Sequence, residues 1–331
     1  MLKRTADLGL DIGSKKIKLA KVKRKGSELQ LLKYGSIDTP LGSVEAGNIF
    51  EPEKVGAEIA GLVKSMGLER QRVVSAVSGQ QVYIRNLILP RMSRFESRAA
   101  AIYQAVTFLP IPSEEAAIDV FPWRDFEDED GKKSEVFFVA IPRLQVDNLE
   151  LTCHTAGLKL AAVEIEPLAI NRIFLPSQAS GVRALLQIGA SRGYFSVFDG
   201  NNLLFYRTLS SFYENMSFII GEANINLDSL QSIQEGQFKY IVRDWVTEVR
   251  RSVEYYNIQH TERKLEKLWL SGGGTGLKGL AAELAAEIAC DVQTADFLPR
   301  FILPVNLDEQ AQREINCDFP VALGLAAREV I

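Results

Sequence analysis

The chain has 331 residues, 47% of them hydrophobic and 24% charged, with a formal net charge of −4. A chain of this length and apolar content can bury a large core and is expected to form two lobes or domains. The slightly acidic balance gives no footprint for nucleic-acid binding, and three widely spaced cysteines and two histidines leave few candidates for zinc sites or nucleophile triads.

The first predicted elements are three strands that lie between the N-terminus and residue 34. Leu8, Leu10 and Ile12 alternate before a glycine-serine turn, a lysine-rich strand follows, and "SELQLLKY" returns after a second turn. No apolar signal core precedes the first strand, and no uncharged run of about eighteen residues is long enough to span a membrane. The sequence therefore predicts a soluble, cytosolic chain that does not insert into the membrane and reaches it only through a partner.

The second of these strands carries the basic run "KKIKLAKVKRK", from Lys15 to Lys25. Such a run can be a patch for anionic lipid or phosphate, or it can be the solvated face of alternating strands. The second interpretation is favoured.

A helix is predicted from about Pro52 to Met66, because apolar residues recur on one face of it. Pro52 suits its first turn and Gly67 suits its C-terminal cap. Two further strands are predicted in "RVVSAVSGQQVYIRNLILP", on either side of a serine-glycine turn.

Ser93 and Glu96 have the spacing of a capping box, which marks the start of a helix that is expected to end near Leu109. A hairpin follows, in which the acidic turn "RDFEDEDGKK" joins a strand around 118–123 to the apolar strand "EVFFVAIP". The acidic turn can dock a basic partner, although charged hairpin tips are more often simply solvated.

A helix from Arg143 to about Thr155 and the strand "LKLAAVEIE" complete this block. Together, residues 81–165 are interpreted as an inserted α/β subdomain.

After the short helix "PLAINRIF", the opening outline of three strands repeats in "VRALLQIG", "YFSVFDG" and "NNLLFYRTL". Aligning the two turns gives three pairs, Gly189 with Gly13, Ala190 with Ser14, and Gln187 with Asp11. An internal repeat of this kind predicts a two-lobed fold in which each lobe offers one glycine turn to a shared cleft.

A helix is predicted around 241–257, and the stretch "KLEKLWLSGGGTGLKGLAAELAAEIACDV" follows it. Its strand from Leu265 to Leu270 leads into three glycines. A helix is expected to begin at once, with one apolar face made by Leu277, Leu280, Leu284 and Ile288. Glycines allow close backbone approach and a helix start offers N–H groups, so this junction suits a nucleotide.

Each of these motifs is ambiguous alone, because "DIGS" and "GGGTG" can both be purely structural. In order, however, the two glycine turns and the strand-glycine-helix junction resemble the phosphate-1, phosphate-2 and adenosine elements of the actin, hexokinase and heat-shock ATPase superfamily. The stretches "SAVSGQQVYIRNLILPRMS", "FLPIPSEEAAIDV", "AGLKLAAVEIEPLAINRIF", "EVRRSVEYY" and "PVALGLAAREV" resemble the PilM family of type IV pilus assembly proteins, which is related to FtsA.

The resemblance implies an α/β, two-lobed actin-like fold of the ribonuclease H type, with an inserted subdomain of the FtsA and PilM kind. The implied divisions are a first-lobe core at 1–80, the insertion at 81–165, a return to the first lobe at 166–180, a second lobe with a shortened 2B part at 181–318, and a C-terminal helix at 319–331 that packs back on the first lobe.

The resemblance also implies a cleft for ATP and Mg²⁺. Asp11 would order water around the nucleotide-bound Mg²⁺, which keeps most of its waters and needs few protein carboxylates. Backbone N–H groups at Gly13, Ser14 and Lys15 would cradle phosphates, and Lys18 matches the lysine of the family's first hairpin.

The second lobe would supply the remaining nucleotide-binding residues. They are Gln187, Gly189, Ala190 and Ser191 in its glycine turn, and Gly272, Gly273, Gly274 and Thr275 against the adenosine.

Three departures from the family pattern lie in the second lobe. Gln187 stands in place of an acidic residue, "SSFYEN" stands where a Gly-Gly pair is expected, and the segment from Asn215 to Val242 lacks a clear counterpart of the Glu-x-x-Lys helix. These departures predict weak nucleotide binding and little or no hydrolysis.

Two classes of function compete. In the favoured one, the chain is a cytoplasmic scaffold that binds the N-terminal peptide of a PilN-like bitopic membrane protein, together with other inner-membrane pilus components. In the other, it is an ATPase or phosphotransferase, which needs a general base or a group that orients water; Gln187 could position water. Self-association like that of actin is a further expectation from the family.

Overall fold

A computed structural model describes residues 6–174, 181–210, 237–277 and 279–330. Residues 175–180 and 211–236 lie outside the described ranges. Three predictions fall mostly on 211–236: the missing Gly-Gly pair, the missing Glu-x-x-Lys helix that would contact ribose, and the shortened 2B part.

The strands are β1 (Leu8–Ile12), β2 (Lys16–Lys25), β3 (Glu28–Asp38), β4 (Val44–Glu45), β5 (Asn48–Ile49), β6 (Arg72–Val77), β7 (Tyr83–Pro90), β8 (Ala116–Asp128), β9 (Gly131–Pro142), β10 (Lys159–Ile165), β11 (Val182–Ile188), β12 (Arg192–Asp199), β13 (Asn202–Ser210), β14 (Lys267–Ser271), β15 (Asp291–Thr294) and β16 (Phe301–Ile302). The helices are α1 (Pro52–Ser65), α2 (Arg94–Ala105), α3 (Arg143–Thr155), α4 (Glu166–Arg172), α5 (Gln237–Gln259), α6 (Leu280–Glu287), α7 (Glu309–Asp318) and α8 (Pro320–Ala326).

Each lobe contains a sheet, and five strands of each sheet share one topology, to which the first sheet adds β16 beside β3. The first has the order β10-β6-β1-β2-β3-β16 and the second β13-β12-β11-β14-β15. In each lobe three antiparallel strands are followed by parallel strands added beside the first of the three. The internal repeat predicted from the sequence is therefore a repeat of whole sheets. It places each glycine turn at the equivalent position of its own sheet.

The inserted subdomain is smaller than predicted. It consists of the three-stranded sheet β7-β9-β8 with α2 packed on one face, around its own apolar cluster. Helix α3 packs on α1, and β10 pairs with β6 in the first sheet. The insertion thus covers 83–142 rather than 81–165, because a helical or strand pattern does not reveal which sheet an element joins.

The chain enters and leaves the insertion at adjacent points. Gln145, at the start of α3, donates from Nε2 to Gln81 Oε1 at 3.0 Å and to Asn48 Oδ1 at 2.5 Å. Gln81 precedes β7, and Asn48 belongs to the small β4-β5 hairpin. One buried amide therefore ties both connections of the insertion to the first lobe.

Two helix limits differ from the prediction. The capping box at Ser93 and Glu96 is present, but α2 ends at Ala105 instead of near Leu109. The second and third glycines begin a 3₁₀ turn (Gly273–Gly276), and α6 begins only at Leu280, so the helix does not begin at once as predicted.

The second lobe ends earlier than residue 318. Strand β16 pairs in parallel with β3, so the chain has already returned to the first sheet by Phe301. The C-terminal helix α8 packs on β1 and α4. No helix in the described ranges has both the length and the apolarity needed to cross a bilayer.

Half of the six basic residues of β2 form ion pairs. Its inward positions Ile17 and Leu19 are buried, and three of its lysines form ion pairs: Lys16 with Asp318, Lys18 with Asp11 and Lys21 with Asp7. Only the end of the strand, from Lys23 onward, is fully exposed, which leaves a short basic tip.

The contact between α8 and β1 requires a glycine. A Cβ atom on Gly9 would lie 2.0 Å from the carbonyl oxygen of Ala322 and 2.6 Å from the amide nitrogen of Ala326. Both are backbone atoms, which cannot rotate away as a side chain can. The strand and the helix are therefore in backbone contact at this point.

We expect Gly9→Ala to lower the free energy of unfolding by about 2 kcal/mol or more, as overpacking does in tight cores. Urea unfolding measures this. The matched control is Gly61→Ala in α1, where an added Cβ meets nothing within 4 Å and the better helix former should add about 0.5–1 kcal/mol. Equal stability of Gly9→Ala and the parent would contradict the packing described here.

Candidate functional site

A cleft of about 300 Å³ lies where the two glycine hairpins face each other. Eleven of the thirteen predicted nucleotide-binding residues line it, namely Asp11, Gly13, Ser14, Lys15, Lys18, Gln187, Gly189, Ala190, Ser191, Gly273 and Gly274. Gly272 and Thr275 do not. The repeat has therefore brought the two predicted turns together.

In the first hairpin, Asp11 and Lys18 are cross-strand partners on β1 and β2. Lys18 Nζ donates to Asp11 Oδ2 at 3.0 Å, and both side chains are largely buried. Burial alone lowers the pKa of Lys18, but the charge and hydrogen bond of Asp11 outweigh it, and the net effect is a raised pKa. The carboxylate predicted to organise a metal is thus neutralised by a lysine of its own hairpin.

The first turn offers fewer N–H groups than predicted. The N–H of Gly13 donates to the carbonyl of Lys16 at 3.1 Å, which closes the hairpin and withdraws Gly13 from the predicted phosphate cradle. Thr39 fixes the turn further, because its hydroxyl donates to the carbonyl of Gly13 and its N–H to that of Lys15. Gly13 lines the cleft, and the turn uses its N–H for closure.

The second hairpin is built in the same way, with the N–H of Gly189 donating to the carbonyl of Arg192 at 2.9 Å. Gln187 occupies the position of Asp11, and its cross-strand partner is Tyr194 where the first lobe has Lys18. The amide Nε2 of Gln187 donates to Glu166 Oε2 at 2.5 Å. Sequence reasoning missed Glu166, a second carboxylate that the first lobe supplies to the cleft from the start of α4.

Glu166 lies in a low-dielectric corner of the cleft. Burial, followed by the nearby charge of Asp11, raises the pKa of Glu166 to about 7, while hydrogen bonds from Ser78 and Gln187 oppose the shift. Burial and the Glu166 charge also raise the pKa of Tyr194, whose hydroxyl bonds to the same Ser78 side chain. Glu166 therefore changes charge near neutral pH, where an ordinary glutamate stays ionised.

The glycine run serves packing as much as binding. Gly272 has φ +91°, and a Cβ there would lie 2.6 Å from the carbonyl oxygen of Ile188 on β11. Thr275 turns inward and donates to the carbonyl of Gly272 at 2.8 Å. Only Gly273 and Gly274 reach the cleft, and Asp318 of α7 covers Gly273 so closely that a Cβ would lie 2.8 Å from its Oδ1.

The charges of the cleft wall suit an anionic ligand that carries a metal ion. The acidic groups are Asp11, Glu166 and Asp318, and the basic groups are Lys15, Lys16, Lys18 and Arg192. The volume is at the lower end of the range for ligand pockets, about 300–1,000 Å³. Across the described ranges no cluster of three or more His, Cys, Asp or Glu could hold a metal, so a cation here would depend on phosphate oxygens and water beside Asp11.

Arg192 is another residue of the cleft that sequence reasoning missed. It follows the second glycine turn at the position that Lys16 occupies in the first. The signal was available, because aligning the two turns pairs these basic residues directly. Glu166 had no such signal, since it lies outside both repeats.

Two sheets of repeated topology with paired hairpins around a cleft define an α/β protein of the actin-like class. A family model described as type IV pilus assembly protein PilM matches residues 9–213. The chain belongs to this family, and the resemblance seen in its sequence is confirmed.

Among solved structures, the chain is similar to one titled "PilM-PilN type IV pilus biogenesis complex", over 99% of each chain, with 26% identity and a TM-score of 0.83. It is also similar to the ethanolamine utilization protein EutJ from Carboxydothermus hydrogenoformans, over 96% of this chain and 88% of that one, with 12% identity and a TM-score of 0.52. The second similarity is one of fold alone.

We expect Glu166→Gln to stabilise the protein more at pH 8 than at pH 4.5. The pKa of Glu166 in the folded protein is raised to about 7. The contribution of Glu166 to stability is therefore complete below its unfolded-state pKa and is lost as the pH rises through about 7. The difference between variant and parent should grow by about 2–3 kcal/mol over this interval. Urea unfolding at several pH values measures it, with the surface change Glu28→Gln as control. A difference independent of pH would show that Glu166 titrates normally.

Proposed function

We propose that this chain is a scaffold of a type IV pilus or related secretion machine, which binds the cytoplasmic N-terminal peptide of a PilN-like inner-membrane protein. The similarity over 99% of both chains to a chain of the PilM-PilN complex carries the proposal. The scaffold role places the protein in the cytoplasm, peripheral to the inner membrane through its partner, with other inner-membrane pilus components and further copies of itself as additional partners.

A groove in the inserted subdomain, which the first lobe borders at Arg143, supports the peptide mode of binding. It has a volume of about 400 Å³ and is lined by α2, by the start of β8 and by Arg143 at the start of α3. Its walls combine the apolar side chains of Ile102 and Ile118 with Arg98, Glu114 and Arg143. A mixed apolar and charged groove of this kind suits an extended peptide with both kinds of side chain.

The floor of the groove is a sheet edge. Strand β8 is the outer strand of its sheet. The carbonyl of Ile118 accepts from Arg98 at 2.8 Å, and the carbonyl of Ala116 accepts from Arg143 at 3.0 Å. Further along, Pro122 has no N–H to offer. We place strand addition at the first part of β8. Peptide N–H groups can replace the two arginines there, and the arginines can then bind peptide oxygens.

The cleft supports a degenerate nucleotide site better than an active one. Gln187 is neutral and engaged with Glu166, and Asp11 is engaged with Lys18, so neither hairpin presents an unpaired carboxylate to a hydrated Mg²⁺. We therefore assign weak Mg-ATP binding with negligible turnover. Asp11 and Lys18 would hold metal water and phosphate, and Gly273 and Gly274 would lie against the nucleoside.

One observation favours the alternative of an active ATPase or phosphotransferase. Glu166 has a pKa raised to about 7, which is the range in which a general base works best at neutral pH. Both Gln187 and Ser78 hold its oxygens, however, and a base must first be released from such bonds before it can accept a proton.

We expect a synthetic N-terminal peptide of a PilN-like protein to bind the full chain with micromolar affinity, because an extended segment loses chain entropy when it orders. Ile102→Glu places a charge in the apolar wall of the groove and should weaken binding about tenfold or more. Fluorescence anisotropy of a labelled peptide measures both.

The matched control is Gln104→Glu, which adds the same charge to α2 at an exposed position outside the groove. It should bind like the parent. Absence of saturable binding to folded parent protein would refute the scaffold proposal, and equal affinity of the two variants would place the peptide elsewhere. Flotation with lipid vesicles should recover the protein only when the partner is present in them.

We expect Gln187→Asp to tighten Mg-ATP binding by about 1–2 kcal/mol, because a carboxylate accepts hydrogen bonds from metal-bound water about twice as strongly as a neutral amide. The new carboxylate faces Glu166, so the gain should vanish in EDTA, where the two charges repel. Asp11→Asn should loosen Mg-ATP binding. Calorimetric titration tests all three proteins, with Gln187→Asn as the neutral control, and ordinary enzymatic turnover by the parent would overturn the degenerate-site assignment.

A further inference from the structure

Two cations of the cleft wall have no acidic partner among the described residues. The other two basic groups are paired, Lys18 with Asp11 at 3.0 Å and Lys16 with Asp318 at 3.8 Å. Lys15 and Arg192 line the same cleft without an ion pair in this part of the chain. The Nε of Arg192 is also buried without a hydrogen-bond acceptor there.

These two cations come from opposite lobes. Lys15 lies in the turn of the first hairpin, and Arg192 directly follows the turn of the second, three residues after Gly189. Arg192 belongs to the lobe in which Gln187 stands in the position of the first lobe's carboxylate. On this wall the second lobe therefore has an arginine and no carboxylate, and the arginine favours a bare anion over a hydrated cation.

A guanidinium beside a phosphate does part of the work of a metal ion. It is permanently charged, presents a planar fork of donors and matches phosphate oxygens in pairs. A second positive group on the facing wall spreads the neutralisation over more than one phosphate. Two carboxylate oxygens facing phosphate would require a cation between them, whereas an arginine requires none.

Resting on the nucleotide cleft proposed above, we propose that Arg192 and Lys15 hold the phosphates of a nucleotide from opposite walls, so that binding does not require a divalent cation. Arg192 is then the residue that sets the metal requirement of the site. A site of this kind takes metal-free nucleoside triphosphates and inorganic polyphosphates as ligands, and it responds to nucleotide level independently of Mg²⁺.

Calorimetric titration of the full chain with ATP and with tripolyphosphate, in Mg²⁺ and in EDTA at matched ionic strength, tests the proposal. We expect the parent to bind ATP in EDTA within about threefold of its affinity in Mg²⁺, and Arg192→Gln to lose about tenfold or more in EDTA. The loss in Mg²⁺ should be smaller, because the metal then neutralises the phosphates. Arg192→Lys keeps the charge and should fall between the two.

The matched control is Arg207→Gln, the same change at an exposed arginine of the neighbouring strand β13 that does not line the cleft. It should leave all affinities unchanged. Binding that needs Mg²⁺ in the parent and is equally strong in Arg192→Gln overturns this inference while leaving the nucleotide cleft intact. If neither ATP nor tripolyphosphate binds in either buffer, the proposed nucleotide cleft itself is overturned.

Discussion

A hydrogen bond from Gln187 Nε2 to Glu166 Oε2, at 2.5 Å, joins the two lobes inside the cleft. Glu166 belongs to the helix that leaves the first sheet, and Gln187 to the first strand of the second. Nearby, the buried Arg183 of β11 donates to Asn171 Oδ1 of α4 at 2.6 Å and to the carbonyl of Gly200 at 3.0 Å. The lobes are thus joined by hydrogen bonds between buried polar groups. Removing one partner of such a bond leaves the other partner buried without a hydrogen bond.

This joint explains why the cleft differs from a site built around a metal. A carboxylate at position 187 would face Glu166 directly, and two close carboxylates cannot both stay ionised without a cation between them. The amide removes that conflict and adds a donor. In the cleft, Lys18 neutralises Asp11 and Gln187 donates a hydrogen bond to Glu166, and a nucleotide must compete with these internal bonds.

Much of this was predictable from local pattern. The hairpins at Asp11 and Gln187 follow from strand alternation and glycine turns, and the capping box at Ser93 fixes the start of α2. What the sequence could not supply were assignments that depend on distant neighbours. The sheet that β10 joins, the role of Gly272 against Ile188, and the place of Glu166 in the cleft each rest on contacts between separate elements.

The hydrogen-bonded base of the inserted subdomain bears on the order in which the protein folds. Strands β6 and β10 are neighbours in the first sheet, with Arg72 opposite Lys159, although the whole insertion separates them along the chain. Closing so long an unfolded loop is entropically costly. Once β7 and β9 pair, with Tyr83 opposite Ala140, the loop shrinks to the connection at 78–82 and to the stretch at 143–158, which contains α3. Folding of the insertion therefore brings β6 and β10 close together, and the first sheet is expected to form completely only after the insertion has folded.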